Sequence, residues 1–500
     1  MSQQTTYEEP TYGNWRRPRT AGIGRFGALE TGLLIGGLLV IVVMLRVAGP
    51  VAGGIALVVS GVAFAVLTIK DKHNRSRMQR WVAKSQHKKS VRRRLNTYRS
   101  GPVGLVPGGK TRIPGLLAQS ELHEFTDGFE RTFAVLHMPH TNHATIVIEV
   151  EPTGLALDDR ENIDEYVANW GGWLAGLSKS PDIVAASVTI ETAPDYGTRL
   201  RNEIDAARHD EASAASIEMM EEVKASFPQE SEVTRAWISV TFTTWRPGAE
   251  RKRTIQDVGL DLGTRMGRFT EHLEQSGAGD AHPVTAQTLC EIVRSAYDPG
   301  VAEHIESAHA NGVTPEMSWD DVGPGAYDAG WEWFRHDSGL SKSWFMSVAP
   351  RGVVYSSVLE PLLSPGGVTR KRVSWLFRPV SAAQAMDVAE ADVTAASNRA
   401  ATTNKTNFRA EGELQSAVRT AEEISKDAAL INFGAIITAT VLNDTDARPA
   451  SYEIEDAIGR SQLIARPAYG SQEVAFAASL PLGLVLPDYV AIPSKVREAL

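Results

Sequence analysis

"GALETGLLIGGLLVIVVML", residues 27–45, is followed after Arg46 by "VAGPVAGGIALVVSGVAFAVLTI", residues 47–69. Glu30 is the only charge in the first run, and the second has none. An α-helix rises ~1.5 Å per residue, so about 20 residues cross a hydrocarbon core of ~30 Å. With Arg46 and the Gly49-Pro50 turn between them, the two runs predict a two-helix transmembrane hairpin over residues 26–69. A cleaved signal fits poorly, because a tail of some twenty-five residues precedes the first run and the second run follows at once. Buried core helices would keep a polar face, which the second run lacks. Gly32 and Gly36 give a G-x-x-x-G compatible with close helix packing.

Working outward, basic residues flank the hairpin on both sides. Arg16, Arg17, Arg19 and Arg25 precede it, and Lys70, Lys72, Arg75, Arg77 and Arg80 follow it. The positive-inside rule then places the N-terminal tail (1–25) and the C-terminus in the cytoplasm, for a two-span protein of the cell membrane. Residues 70–99 hold twelve Lys/Arg against Asp71 alone, a net +11, while residues 1–69 carry +2. The chain as a whole is at −9, so residues 100–500 stand at −22. A basic collar on anionic lipid gains roughly 1 kcal/mol per cation near the surface. Nucleic-acid phosphates are the rival partner, but only Trp81 and Tyr98 offer stacking groups, and the acidic body argues against direct nucleic-acid contact there.

The chain has 500 residues, 43% of them apolar and 11 of them Trp, enough for two to four folded units. Cys290 is the sole cysteine, so no internal disulfide can form, and it reads as a packed helical residue.

Gly104, Gly109, Lys110 and Thr111 spell the G-x-x-x-x-G-K-T of a phosphate-binding loop. Such a loop follows a buried strand and opens a helix. Here VRRRLNTYRS precedes it, and Pro114 and Gly115 follow. Residues 70–115 therefore read as a basic juxtamembrane segment and a Gly/Pro linker, with no ATPase site.

Beyond the linker, FERTFAVL and ATIVIEV suggest paired strands joined by HMPHTNH. His137, His140 and His143 in that connection read as loop histidines, since nothing completes a ligand set. A helix follows from Asp158 or Asp159, with Ile163, Val167, Trp170, Leu174 and Leu177 on one face. IVAASVTIET and TRAWISVTFTTW read as strands, and VGLDLGTRMGRFTEHLEQSG as a helix ended by Gly277. SKSWFMSVA, RGVVYSSVL, KRVSWLFRPV and INFGAIITATVL read as further strands, and residues 381–426 as long helices. Two polar clusters have chemical readings. Asp444 and Asp446 form the D-x-D of a metal-dependent transferase, or a solvated turn. Arg335, His336 and Asp337 form a possible charge network. No HExxH, CxxC pair, G-x-S-x-G or GxGxxG occurs.

The order of pieces resembles known secretion machinery. The hairpin resembles the two-span PrgI-type membrane subunits of conjugation systems. RIPGLLAQSEL (112–122), TIVIEVEPTG (145–154), HLEQSGAGD (272–280), LCEIVRSAYDP (289–299) and SQEVAFAASLPLG (471–483) resemble the N-terminal, non-motor region of the type IV secretion ATPase. In that family the last stretch precedes the motor domain, whereas here the chain stops within twenty residues. The resemblance implies an actinobacterial integral membrane protein of a type IV secretion-like or conjugation machine, a scaffold that docks a separate ATPase and other channel subunits.

The expectation is a membrane-anchored α+β protein. The hairpin would be followed by a cytoplasmic body of two subdomains, residues 116–317 and 318–500, with no catalytic, cofactor-binding or metal-binding residue assigned. A core membrane subunit of a type VII secretion system, or a membrane-anchored metal-dependent transferase using Asp444 and Asp446, are the alternatives.

Overall fold

The computed structural model describes residues 12–490 apart from 14, 16–27, 70, 72–74, 105, 153, 155–157, 196, 198–203, 208, 210–211, 227–231, 246–250, 351, 367–369, 402–407 and 427. The expected N-terminal tail and the arginines that orient the first run lie outside the described residues, apart from a bridge between Tyr12 and Val354.

The two apolar runs form α1 (Ala28–Val47) and α2 (Gly49–Thr68), turned on Gly49 at φ +85°. They pack on each other. A Cβ at Gly37 would lie 3.5 Å from Ser60, and one at Gly53 would run into Leu45. The transmembrane hairpin is nevertheless not supported. Among the described residues only α2, at 20 residues, is long and apolar enough to cross a bilayer. The apolar part of α1, Thr31–Val47, spans about 25 Å at ~1.5 Å per residue, short of the ~30 Å core.

The basic segment becomes α3 (Arg77–Arg92). The body then forms around one antiparallel sheet of 13 strands: β1 (Thr97–Arg99), β2 (Glu121–Thr126), β3 (Thr132–Met138), β4 (His143–Glu151), β5 (Ile183–Pro194), β6 (Glu232–Thr243), β7 (Asp280–Pro283), β8 (Ala326–Ala329), β9 (Phe334–His336), β10 (Gly339–Val348), β11 (Arg370–Pro379), β12 (Ile431–Val441) and β13 (Ile464–Pro467). Their order is β1-β8-β9-β10-β12-β11-β5-β6-β4-β3-β2, with β13 on β10 and β7 on β4. This corrects the expectation of two subdomains. Strands from residues 121–243 fill one half and strands from 326–441 the other, but β11 pairs with β5 across the middle, from Lys371 with Thr192 to Phe377 with Ala186.

Successive strand residues face opposite sides, and the two sides differ in chemistry. One is apolar. Over the first half, Val135, Ile146, Ile238 and Val240 pack under α6 (Ile255–Leu273), with Trp173 and Leu177 from α4 (Arg160–Lys179). Over the second half, Val373, Ile437 and Trp344 pack under α12 (Ala447–Arg460). Between these helices in the chain come α5 (Ala214–Ser226), α7 (Ala286–Tyr297), α8 (Ala302–Ala310), α9 (Glu360–Leu363), α10 (Ala382–Ala401) and α11 (Phe408–Ser425). The expected strand RGVVYSSVL is instead a bridge at Val354, a 3-10 turn over Ser356–Leu359 and then α9.

The other side carries a band of buried hydroxyls. Ser341 meets Thr440, Ser343 meets Thr438 and Thr145 meets Thr241, at 2.7–3.0 Å. The band is covered by α7, by α13 (Gln472–Ala478) and by the segment 479–485. That segment runs without regular structure, so its carbonyls need partners. Hydroxyls of Ser374, Ser239 and Thr241 donate to the carbonyls of Ser479, Pro481 and Gly483, at 2.6, 2.8 and 2.9 Å. Gly483 sits at φ +64°, and a Cβ there would lie 2.2 Å from Thr241 Oγ1, so the approach requires glycine.

Candidate functional site

A basic cleft lies where α2 hands over to the body. The chain leaves α2 at Thr68 and turns through Asp71, the only acid of the basic segment. The Asp71 carboxylate accepts the Arg75 amide at 3.0 Å and lies 3.7 Å from Arg80 Nε. Ser76 then caps α3, its hydroxyl accepting the Gln79 amide and the Gln79 side chain accepting the Ser76 amide, both at 3.3 Å. The Arg77 amide donates to the Ile69 carbonyl at 3.2 Å, which ties the start of α3 to the end of α2.

Between α3 and the body is a cleft of about 590 Å³. Arg75, Arg77, Arg80 and Lys84 line one wall. Arg466 of β13 faces them, beside Glu332. Trp331 and Tyr469 stack with ring centroids 5.6 Å apart, and His87 of α3 leans on Trp331 at 5.4 Å. Gly470, at φ +69°, lets the backbone approach both Trp331 and His87. Trp81 stands 70% exposed at the rim.

The electrostatics favour an anion. Burial lowers Arg466 to about 10, and the nearby Arg75 guanidinium pushes the same way. Burial also lowers Arg75. The Arg466 guanidinium lies 5.4 Å from the centre of the Phe345 ring, which fixes its plane. Five cations and two acids thus line a half-open cleft with aromatic side chains at its rim. Such a set matches a phosphate group, which guanidiniums bind in a bidentate manner.

The residues singled out in the sequence are scattered. Lys110 pairs with Asp320 at 3.2 Å, Arg112 pairs with the same carboxylate at 3.0 Å, and the Thr111 hydroxyl donates to the Asp321 carbonyl. After Thr111 the chain is extended and then forms a 3-10 turn, Gly115–Leu117, with Gly115 at φ +69°. His137, His140 and His143 do not converge. His137 joins Glu121, His140 stacks on Tyr489, and His143 is buried 3.5 Å from Asp488. Arg335 and His336 point apart, as strand alternation requires, and Asp337 lies past the end of β9 at φ +36°. Arg335 pairs with Asp444, His336 is fully buried, and Asp337 accepts Arg294 and the Gly325 and Ala326 amides. Asp446 accepts from Asn443 in the same turn. Cys290 is buried on α7, and burial pushes its thiol up to about 12.

Arg466, Trp331 and Tyr469 escaped the sequence reading because they lie hundreds of residues from α3 and meet it only through the sheet.

Residues 19–79 match a family model described as a domain of unknown function (DUF8461). The match covers both apolar helices and the cleft residues Asp71, Arg75 and Arg77. No curated protein matches the chain.

Proposed function

We propose that the protein is a non-enzymatic membrane component of a type IV secretion-like or conjugation machine. In this reading α2 anchors it in the cell membrane and the body lies on the cytoplasmic side. The cleft takes the phosphate of an anionic lipid, and the acidic body docks a separate ATPase and channel subunits. The observation that carries the reading is the direct passage from α2, through the Asp71 turn, into a basic wall facing Arg466. Exposed Trp81 suits the headgroup zone. The resemblance of residues 471–483 to the region before the secretion motor supplies the class of machine, and the −22 charge of residues 100–500 supplies a surface a basic partner would favour.

The test is purification from native membranes in mild detergent, with co-purifying proteins identified by mass spectrometry. Recovery of a secretion-type ATPase with channel subunits supports the reading. Sedimentation of the full chain with the soluble fraction, or a membrane preparation without such partners, overturns it.

A further inference from the structure

A second cluster lies at the far edge of the sheet, away from the cleft. β2 is the edge strand, and Glu121 and His123 are two residues apart on it, so both side chains leave the same face. β3 pairs with β2 in a register that sets His137 directly opposite Glu121. Glu121 Oε2 lies 3.2 Å from His137 Nδ1 and 3.5 Å from His123 Nε2. The three ligand atoms all lie within 4.8 Å of one another. His123 Nε2 is shielded from solvent and makes no hydrogen bond of ordinary geometry, Glu121 Oε2 standing 3.5 Å away. A ring nitrogen is thus held out of water beside a carboxylate without the bond that would reward its position.

We propose that Glu121, His123 and His137 form a binding site for a divalent transition-metal ion of the zinc type. Ligand bonds of ~2.0–2.1 Å in a tetrahedron set ligand atoms about 3.3–3.4 Å apart. Both nitrogen-to-oxygen distances already stand near that value, and only the two imidazoles need to close. Two imidazoles and one carboxylate suit zinc, cobalt, nickel or copper, and disfavour magnesium and calcium, which take oxygen ligands. Glu121 is 57% exposed, so the ion has a path from solvent and an open coordination position. The bound ion would cross-link β2 to β3 where the sheet has no further neighbour, fixing the edge strand.

The test uses the full chain in detergent, stripped of metal and titrated with Zn²⁺ by calorimetry and with Co²⁺ by visible absorption. One ion per chain is expected, with cobalt bands of a nitrogen-and-oxygen site and a raised Tm. His137→Ala and Glu121→Gln should each abolish saturable binding. Exposed His140, outside the cluster, should tolerate His140→Ala with binding intact. Because Glu121 is exposed, Glu121→Gln tests the site without disturbing the core, whatever His137→Ala does to folding. Absence of saturable Zn²⁺ binding by the unsubstituted chain, or full binding by Glu121→Gln, overturns the proposal.

Discussion

His336 shows how little a residue's neighbours in the chain say about its chemistry. Between Arg335 and Asp337 it looked like part of a charge network, yet it is the neutral centre of a buried one. Its Nδ1 lies 2.6 Å from the Tyr297 carbonyl, which can only accept, so Nδ1 carries the proton. Nε2, at 2.7 Å, then accepts from the Ser341 hydroxyl, which accepts in turn from Thr440. Burial lowers the imidazole to about 4, from an ordinary value near 6.5. The Tyr297 carbonyl and Asp298 oppose that shift, and Arg372 and Arg335 add to it. Between those values the unfolded chain binds a proton that the folded chain refuses, so stability falls as pH drops from about 6.5 to about 4. The slope attributable to this residue approaches about 1.4 kcal/mol per pH unit. Denaturation of the full chain across that window should show a shallower pH dependence in His336→Gln than in the unsubstituted protein. Equal slopes would mean that His336 is protonated or water-exposed in the fold.

At the scale of elements, the alternating strands were legible because hydroxyls and apolar side chains alternate through them. In β12, AIITATV puts Thr438 and Thr440 on one face and Ala435, Ile437, Ala439 and Val441 on the other. The sequence reading ends α6 a turn late: the helix stops at Leu273, and Gly277, at φ +76°, closes the π-type turn Glu274–Ala278 that follows it. The RGVVYSSVL stretch also departs from its reading. β-branched residues favour extended backbone, but among the described residues of this stretch only Val354 finds a strand-like partner, Tyr12, and Ser356–Leu359 closes into a 3-10 turn. The basic segment was legible as charge, not as a wall, because Asp71 and the Ser76 cap give it a direction that composition does not. The consequence for lipid is testable. Anionic phospholipid, but neither phosphatidylcholine nor inorganic phosphate, should raise the Tm of the full chain in detergent. Arg77→Glu with Lys84→Glu should remove that rise without lowering the basal Tm much, since both lie on the cleft wall rather than in a buried core. An equal rise with inorganic phosphate would assign the cleft to a free anion.

For the whole molecule, the decisive feature is the seam between β5 and β11. The order of strands was illegible because antiparallel pairing across hundreds of residues leaves no local trace, which is why one sheet was taken for two subdomains. At the seam Arg372 stands opposite Glu191, and both are buried. Burial alone would raise the Glu191 carboxyl, but the Arg372 and Arg370 guanidiniums outweigh it and hold it below the usual carboxylate range. Beside this pair the Thr189 hydroxyl donates to Ser374 at 3.2 Å. Arg372→Ala would leave the buried Glu191 carboxylate with Arg370 alone, at 3.6 Å, and should cost up to about 3–5 kcal/mol. Tryptophan fluorescence should then report one cooperative transition at lower denaturant, because Trp237 on β6 and Trp344 on β10 belong to the same sheet. Two separated transitions would mean that the halves fold independently.

The place where α3 joins the body has a mechanical meaning. Tension passed down the chain from α3 enters the sheet at β1, an edge strand of three residues whose strand partner, among the described residues, is β8. So short a ladder yields long before the ten-residue pairing of β11 with β12. The join between α3 and the sheet is thus the weaker coupling, so a pull on it parts β1 from β8 before it unzips the sheet.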